Sequence, residues 1–528
     1  MKNKESIYDV VVIGGTPGGI AAAIAAARMG CRTALCEYHY HFGGMAASGL
    51  GKSDIENREM IGGIFIEFIE RVREHYKKCY GSDSHDFHLS RDGYYYEPSV
   101  AEAIFLDMLI AEGDRIDLFP GQELMDTLNT DDCLSKVRLR NRRNGDEQVF
   151  RAGVFVDATY EGDLYAAAGA DYRLGRESRA EFNEKHAGVI YYDYEDHAFL
   201  PGSTGEGDQR LPAYTYRLCF CTDPERSILL DTPPAGYDAD RYMPYHRDLK
   251  EGRLSAPKKL MPGWGYYPEH FDTLLRALSV TELPNGKIDA NINPRPLAFP
   301  FAGKNAGYVE ADWSRREIIS QKHREIALGL VYFLQNDPSV PAAQKEMARQ
   351  YGWPRDEFTD NQNFPFQLYV REARRLVGAY TLTENDVTMH DDVDGAFNCD
   401  DSIAVGEFPI DSFPCSPCQP GDRRVLEGYL GMLNHITRPY SIPYRIMIPE
   451  RINGLIVPVA ASTTHVAYSS IRMEPTWMAL GQAAGTAAGL AIKEKWALRD
   501  LPMETLQNLL MEDGQVIQPQ MRECVATL

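Results

Sequence analysis

The sequence has no run of about 18 uninterrupted apolar residues, so nothing in it reads as a membrane span. It has no excess of positive charge. Its 55 Lys and Arg stand against 76 Asp and Glu, a formal net charge of −21. That balance excludes a nucleic-acid binder, which needs a basic face, and an anionic lipid surface as the main partner. No internal repeat and no low-complexity tract is visible. There is no tight CxxCxxC run, and ten cysteines scattered over 528 residues read as reduced thiols of a cytoplasmic protein, most of them small core residues. A second clean glycine fingerprint is also missing, so no separate NAD(P)H domain is expected. The opening MKNKESIYDVVVIGG starts basic, but its apolar run enters a glycine turn instead of a small-residue cleavage site. It reads as a strand and not as a signal peptide.

What is present is ordinary for a soluble globular chain: 44% hydrophobic and 25% charged residues, with a length that fits two to four domains. The first forty residues form one β-α-β unit. Tyr8 to Ile13 is a β-rich run, Gly14 to Gly19 a turn, and Ile20 to Met29 an Ala-rich helix stopped by Gly30. Cys31 to Cys36 is a second strand that ends at Glu37. Helical periodicity marks 61–80 and 99–112, and a hairpin-like stretch covers 116–152 with Asn144-Gly145 at a turn. The middle, 176–439, is richer in Tyr, Pro and charge and reads as an inserted α+β domain, with helices at 314–335 and 341–351. Nucleotide-domain character then returns: Leu455-Ile456-Val457 is a strand, and Pro475 to Lys493 is a helix dense in Ala and Gly. The expected architecture is α/β. A Rossmann-like domain is built from 1–175 and 440–500, the insert is a substrate or cap domain, and 501–528 is a C-terminal helical extension.

The turn Gly14-Gly15-Thr16-Pro17-Gly18-Gly19 carries the first chemistry. A dinucleotide fold uses such glycines for a tight turn, for close approach of the backbone to a pyrophosphate, and for close strand–helix packing. The phosphates then sit on the helix N-terminus. Thr16 stands where the pattern has its second glycine, and Pro17 suits the first turn of a helix. Glu37 follows the last glycine at the spacing of a carboxylate that accepts from both ribose hydroxyls. Gly43, Gly44 and Met45 come directly after that strand and let the main chain pass beside a flat or phosphorylated ligand. Arg472, ahead of the last long helix, marks a positive site at its N-terminus.

Taken together, VVVIGGTPGGIAAAIAAARMG, HFGGMAASGLG, DATYEGDLYAAAGADYRLGRESRAEFNEKHAG, QLYVREARRLVGAY, RPYSIPYRIMIPE and SSIRMEPTWMALGQAAGTAAGLA resemble the bacterial FAD-dependent oxidoreductases. These belong to the glutathione-reductase-like class with two dinucleotide folds and are relatives of the heterodisulfide reductase flavoprotein subunit. The resemblance spans about 8–495. It implies noncovalent FAD, with Gly14 to Gly19 on the pyrophosphate, Glu37 on the adenosine ribose and Gly43, Gly44 and Met45 along the flavin. Arg472, Gly481 and Gln482 would hold the ribityl and isoalloxazine end, and Leu124 would give a backbone contact to adenine. Similar proteins often carry an Asp-x-His pattern where this chain reads Asp411-Ser412-Phe413, which points to a different substrate if that histidine has a chemical role.

On the substrate side, a proton relay needs a group that titrates near the working pH. His465, Tyr468 and Arg472 lie next to the expected flavin end, and His435 is a second histidine candidate. Arg371, Arg374 and Arg375 are read as a helical cluster in which Arg371 and Arg374 share a face. They either bind a substrate carboxylate or pair with acids at a domain interface. Cys415 and Cys418 form a CxxC, and Cys219 and Cys221 a second pair, open to a redox disulfide or a metal; the expected reading has no metal. The expected function is hydride transfer between FAD and a small polar organic substrate. The alternatives are an electron-relay subunit of an iron–sulfur complex, and a protein that keeps FAD structurally and uses its insert for binding.

Overall fold

The computed structural model describes residues 4–258, 267–389, 397–422 and 424–519. Residues 520–528 of the expected C-terminal extension lie outside the described residues.

The chain begins with strands β1 (Lys4–Ile7) and β2 (Val10–Ile13), helix α1 (Pro17–Arg28) and strand β3 (Thr33–Cys36). The four residues of β2 are β-branched and buried, as a strand covered on both faces requires. Thr16 explains the departure from an all-glycine turn: it is the N-cap of α1. Its hydroxyl accepts the Gly19 N–H at 3.1 Å and donates to the Ala158 carbonyl at 2.9 Å, while Pro17 opens the helix. Gly30 adopts φ +94°, a conformation that side chains disfavour, and leads the chain toward β3.

Helices α2 (Ile64–Tyr80) and α3 (Pro98–Ala111) follow, then strands β4 (Ile116–Phe119), β5 (Gln122–Thr130), β6 (Cys133–Asn141), β7 (Glu147–Arg151) and β8 (Val154–Asp157). The middle of the chain contributes β9 (Leu218–Cys221), β10 (Leu278–Glu282), β11 (Lys287–Ile292) and the long helix α4 (Trp313–Asn336). Strand β12 (Leu455–Ile456) and helices α5 (His465–Ile471), α6 (Glu474–Glu494) and α7 (Met503–Glu512) complete the chain.

The central sheet runs β12-β8-β2-β3-β4 with every pair parallel. The strand order switches direction beside β2, because β3 lies on one side and β8 on the other; ligands of open parallel sheets bind at such a point. A second sheet, β1-β7-β6-β5, is formed by the expected hairpin region, with the β5–β6 and β6–β7 pairs antiparallel. The middle segment builds its own antiparallel sheet, β9-β11-β10. The architecture is thus α/β with a Rossmann-like unit and an inserted α+β part. Strand 402–406, on the insert side of the expected 439/440 boundary, pairs with 440–443 on the other side.

α1 and α6 pack backbone to backbone. A Cβ on Gly481 would fall on the Gly18 carbonyl, and one on Gly485 would fall on that of Ala22. The segment after α7 is tied to this core: the Gln515 side-chain amide donates to the carbonyls of Ala479 and Ile403, and the Gly514 carbonyl accepts the Gly63 N–H at 2.9 Å. Among the described residues, no helix is long and apolar enough to cross a membrane.

Candidate functional site

At the carboxyl ends of β2, β3 and β8 lies a narrow cleft lined by Gly14, Thr16, Glu37, Gly44, Leu124 and Tyr160, among others. The backbone makes the cleft possible. Gly14 sits at φ +105° against Ala158, and a Cβ on Gly15 would run into Phe42 and Glu37. Glu37 turns back onto this loop: its carboxylate accepts the Gly15 N–H at 2.5 Å and the His39 N–H at 2.8 Å. Burial raises the Glu37 carboxyl to about 7, against the two amide bonds that pull it down. A glycine-lined helix N-terminus facing a carboxylate at the end of the next strand suits the phosphates and ribose of a dinucleotide.

A larger cavity of about 690 Å³ lies between the α5–α6 junction and the inserted segment. Its lining includes the junction residues Arg472 and Met473 together with Tyr369, Arg371, Asp411 and Phe413. The Arg472 guanidinium donates to the Asp411 carbonyl at 2.7 Å and lies 3.9 Å from its carboxylate. Burial raises the Asp411 carboxyl. His435 lines the same cavity, its ring stacked on His197 at 3.7 Å, and burial lowers its affinity for a proton.

Three consecutive residues connect the two spaces. Arg472 and Met473 line the large cavity. Glu474 begins α6 and accepts from the Tyr160 hydroxyl at 2.6 Å. Tyr160 lines the glycine cleft and accepts the Met45 N–H at 3.0 Å. Burial lifts the Glu474 carboxyl to about 8, so it keeps its proton at neutral pH. Sequence reasoning did not single out Tyr160. The available signal was DATYEGD directly after buried strand β8, at the carboxyl edge where such sheets place ligands.

Other expected site residues sit elsewhere. Arg371, Arg374 and Arg375 are not on a helix; the segment is extended, and Arg375 pairs across to Arg173 in a short strand. Each arginine therefore points to a different partner. Arg374 pairs with Asp163 at 2.9 Å and Arg375 with Glu177 at 2.7 Å, while Arg371 reaches the cavity. His465 lines neither space: it starts α5 with its N–H on Glu177 and its Nδ1 2.7 Å from the buried Glu372 carboxylate. Tyr468 is buried in the same helix, and its carbonyl accepts the Arg472 N–H at 3.1 Å. Gly18 and Gly481 serve helix packing, and Gln482 accepts the Ile64 N–H at 2.8 Å at the start of α2. Cys219, Cys221, Cys415 and Cys418 are all free thiols. Among the described residues no group of three or more His, Cys, Asp or Glu could hold a metal ion.

Comparisons with known proteins identify the family. No curated protein matches the sequence. Among solved structures, a geranylgeranyl bacteriochlorophyll reductase-like protein from Thermoplasma acidophilum is 13% identical, with 97% of this chain and 85% of that one covered at a TM-score of 0.38. An FAD-complexed glycerol-3-phosphate dehydrogenase from Bacillus halodurans is 13% identical, with 36% and 43% covered at 0.23. L-proline dehydrogenase from P. horikoshii is 14% identical, with 34% and 26% covered at 0.20. The chain thus spans less than half the length of these last two. The profile of one family, described as FAD dependent oxidoreductase, matches residues 9–510. That match covers nearly the whole length, and the chain belongs to the FAD dependent oxidoreductase family.

Proposed function

We propose that the protein transfers a hydride between bound FAD and a small polar organic molecule held in the 690 Å³ cavity. One observation carries this reading: the link Arg472–Met473–Glu474–Tyr160 joins the charged cavity to the glycine cleft within a few bonded or hydrogen-bonded residues. FAD, when bound, supplies the two-electron chemistry, and the protein supplies binding, orientation and proton handling.

In this reading the Gly14–Gly19 loop and the N-terminus of α1 take the pyrophosphate, and Glu37 leaves the Gly15 amide for the ribose hydroxyls. Gly43, Gly44 and Met45 lie along the ring system, and Leu124 lies beside adenine. Glu474 keeps a proton next to the Tyr160 hydroxyl, which fixes the Met45 main chain. Asp411 faces the substrate space with a raised affinity for a proton and is the group placed to exchange one with substrate. His435 is the second group of that kind, lining the same cavity. His465 and Tyr468 act as positioning residues: they hold α5, whose end sets Arg472. No feature of the two spaces favours the electron-relay alternative.

The test is spectroscopic. Purified protein is expected to carry FAD or to take it up. Anaerobic mixing with panels of hydroxy acids, sugars and NAD(P)H is expected to bleach the flavin band with at least one of them. A colourless protein that cannot be reconstituted would overturn the reading. Gly44→Val, whose side chain would fall on the Tyr160 hydroxyl, is expected to lose FAD while retaining its secondary structure.

A further inference from the structure

Arg371 departs from most of the other buried arginines. Arg176, Arg217, Arg316, Arg374 and Arg375 each meet a carboxylate at 2.5–2.9 Å, and Arg472 lies 3.9 Å from that of Asp411. Arg371, 1% exposed, has no carboxylate within ion-pair distance among the described residues. Its guanidinium donates only to neutral oxygens: the Ala213 carbonyl at 3.0 Å, the Thr215 hydroxyl at 3.0 Å and the Asn291 side chain at 3.5 Å. Its Nε–H has no partner among the described residues. A buried cation without a counter-charge is costly, by several kcal/mol per ion after relaxation. Burial accordingly lowers its affinity for a proton, to about 9, which still leaves it charged at neutral pH.

Two aromatic rings restrict what can approach. Phe413 lies over the guanidinium at 3.5 Å and Tyr369 at 4.1 Å. With two rings this close, the part of the guanidinium left for a ligand is its edge, where the N–H groups lie in one plane. That edge fits a planar anion with two oxygens better than a point charge. The surroundings point the same way. Nine Lys or Arg side chains line the cavity against four Asp or Glu, in a chain whose net charge is −21. Arg472 lines the same cavity and shares Tyr369 with Arg371: its Nη1 lies 3.4 Å from the Tyr369 hydroxyl.

We infer that the cavity binds a substrate through a carboxylate, which supplies Arg371 with its missing counter-charge while Arg472 holds the same end of the molecule. The inference rests on the reading of this cavity as the substrate space and narrows its occupant to organic acids. It also gives Phe413 a role, because the ring keeps water off one face of the guanidinium and so strengthens the pair.

The test uses the FAD-loaded protein, titrated by calorimetry with benzoate and succinate and, in parallel, with benzamide, succinamide and inorganic phosphate. The carboxylates are expected to bind and the amides not to bind. Arg371→Met is expected to weaken carboxylate binding about 30-fold or more, the range seen when one partner of a buried charge pair is removed. Arg371→Lys, which keeps the charge without the planar fork, is expected to fall between. Retained FAD absorbance shows that either variant is folded, and Arg371→Lys carries the test if Arg371→Met is not. Equal binding of acid and amide, binding of phosphate alone, or no carboxylate binding would overturn the inference. Turnover of an uncharged substrate that Arg371→Met leaves intact would overturn it and spare the hydride-transfer reading. Protein that binds benzoate through Arg371 but never takes up FAD would do the reverse.

Discussion

Glu474 occupies a place that favours and opposes charge at once. It stands in the first turn of α6, where the helix dipole suits an anion, yet it is buried. One oxygen accepts from Tyr160 and the other has no partner among the described residues. Burial wins, and the carboxyl rises from 4.5 to about 8. The sign of the consequence is fixed by linkage. Between those two values the unfolded chain has released this proton while the folded chain keeps it, so stability falls as pH rises through the interval and levels off above it. Glu474→Gln keeps an acceptor for Tyr160 and removes the titration. The melting temperature of the variant relative to wild type is expected to climb from about pH 5 to about pH 8 and then hold, by an amount equivalent to a few kcal/mol. A constant difference across that range would show that Glu474 ionises like an exposed acid. The sequence named this helix start for Arg472, and nothing local distinguishes Glu474, because its burial comes from tertiary packing and its hydrogen-bond partner, Tyr160, is more than three hundred residues away.

At the scale of elements, the pair α1–α6 shows what was legible and why. The Val10–Ile13 run, the glycine turn and the Ala-rich stretch that follows carry their structure in local pattern, and they appear as β2, the cleft and α1. The small residues of α6 were equally readable as a close-packing face. The Arg371–Arg375 segment misled because i and i+3 spacing describes a helix only if a helix exists. Here each arginine is drawn to a distant partner, Asp163, Glu177 or the cavity, and the backbone is extended. The α1–α6 contact itself is testable. Gly485→Leu would drive a side chain into the Ala22 carbonyl and is expected to cost at least about 1–3 kcal/mol through overpacking. Gly30→Ala, where nothing lies within 4 Å, is expected to cost only the strain of its positive φ, about 1–2 kcal/mol. Denaturant midpoints of the two variants measure the difference; an equal or reversed order would mean that the helices can separate to make room.

Across the whole molecule, several polar ties join the inserted segment to the Rossmann-like unit, among them Lys287–Glu97 and Arg142–Glu317, and the one on Asp163 gathers two arginines on a single carboxylate. Asp163 follows the glycine-turn cleft in DATYEGD. It receives both Nη groups of Arg316 from α4, at 2.5 and 2.7 Å, and Nη1 of Arg374 at 2.9 Å. Both arginines also donate to the Val309 carbonyl, and Glu161 beside Asp163 meets the Tyr308 hydroxyl at 3.1 Å. Burial alone would raise the Asp163 carboxyl, but the two guanidinium groups outweigh it and hold it below 3.8. Its contribution is therefore complete above the unfolded value and is lost as pH falls through the lower folded value. Asp163→Asn leaves two buried cations against a neutral amide. At neutral pH it is expected to destabilise the protein by about 3–5 kcal/mol, the range for breaking a buried ion pair. In urea titrations from about pH 7 downward, the gap between variant and wild type is expected to narrow only below about pH 4. A gap that stays constant as the pH falls would place the cost of the substitution in lost packing instead of in this charge.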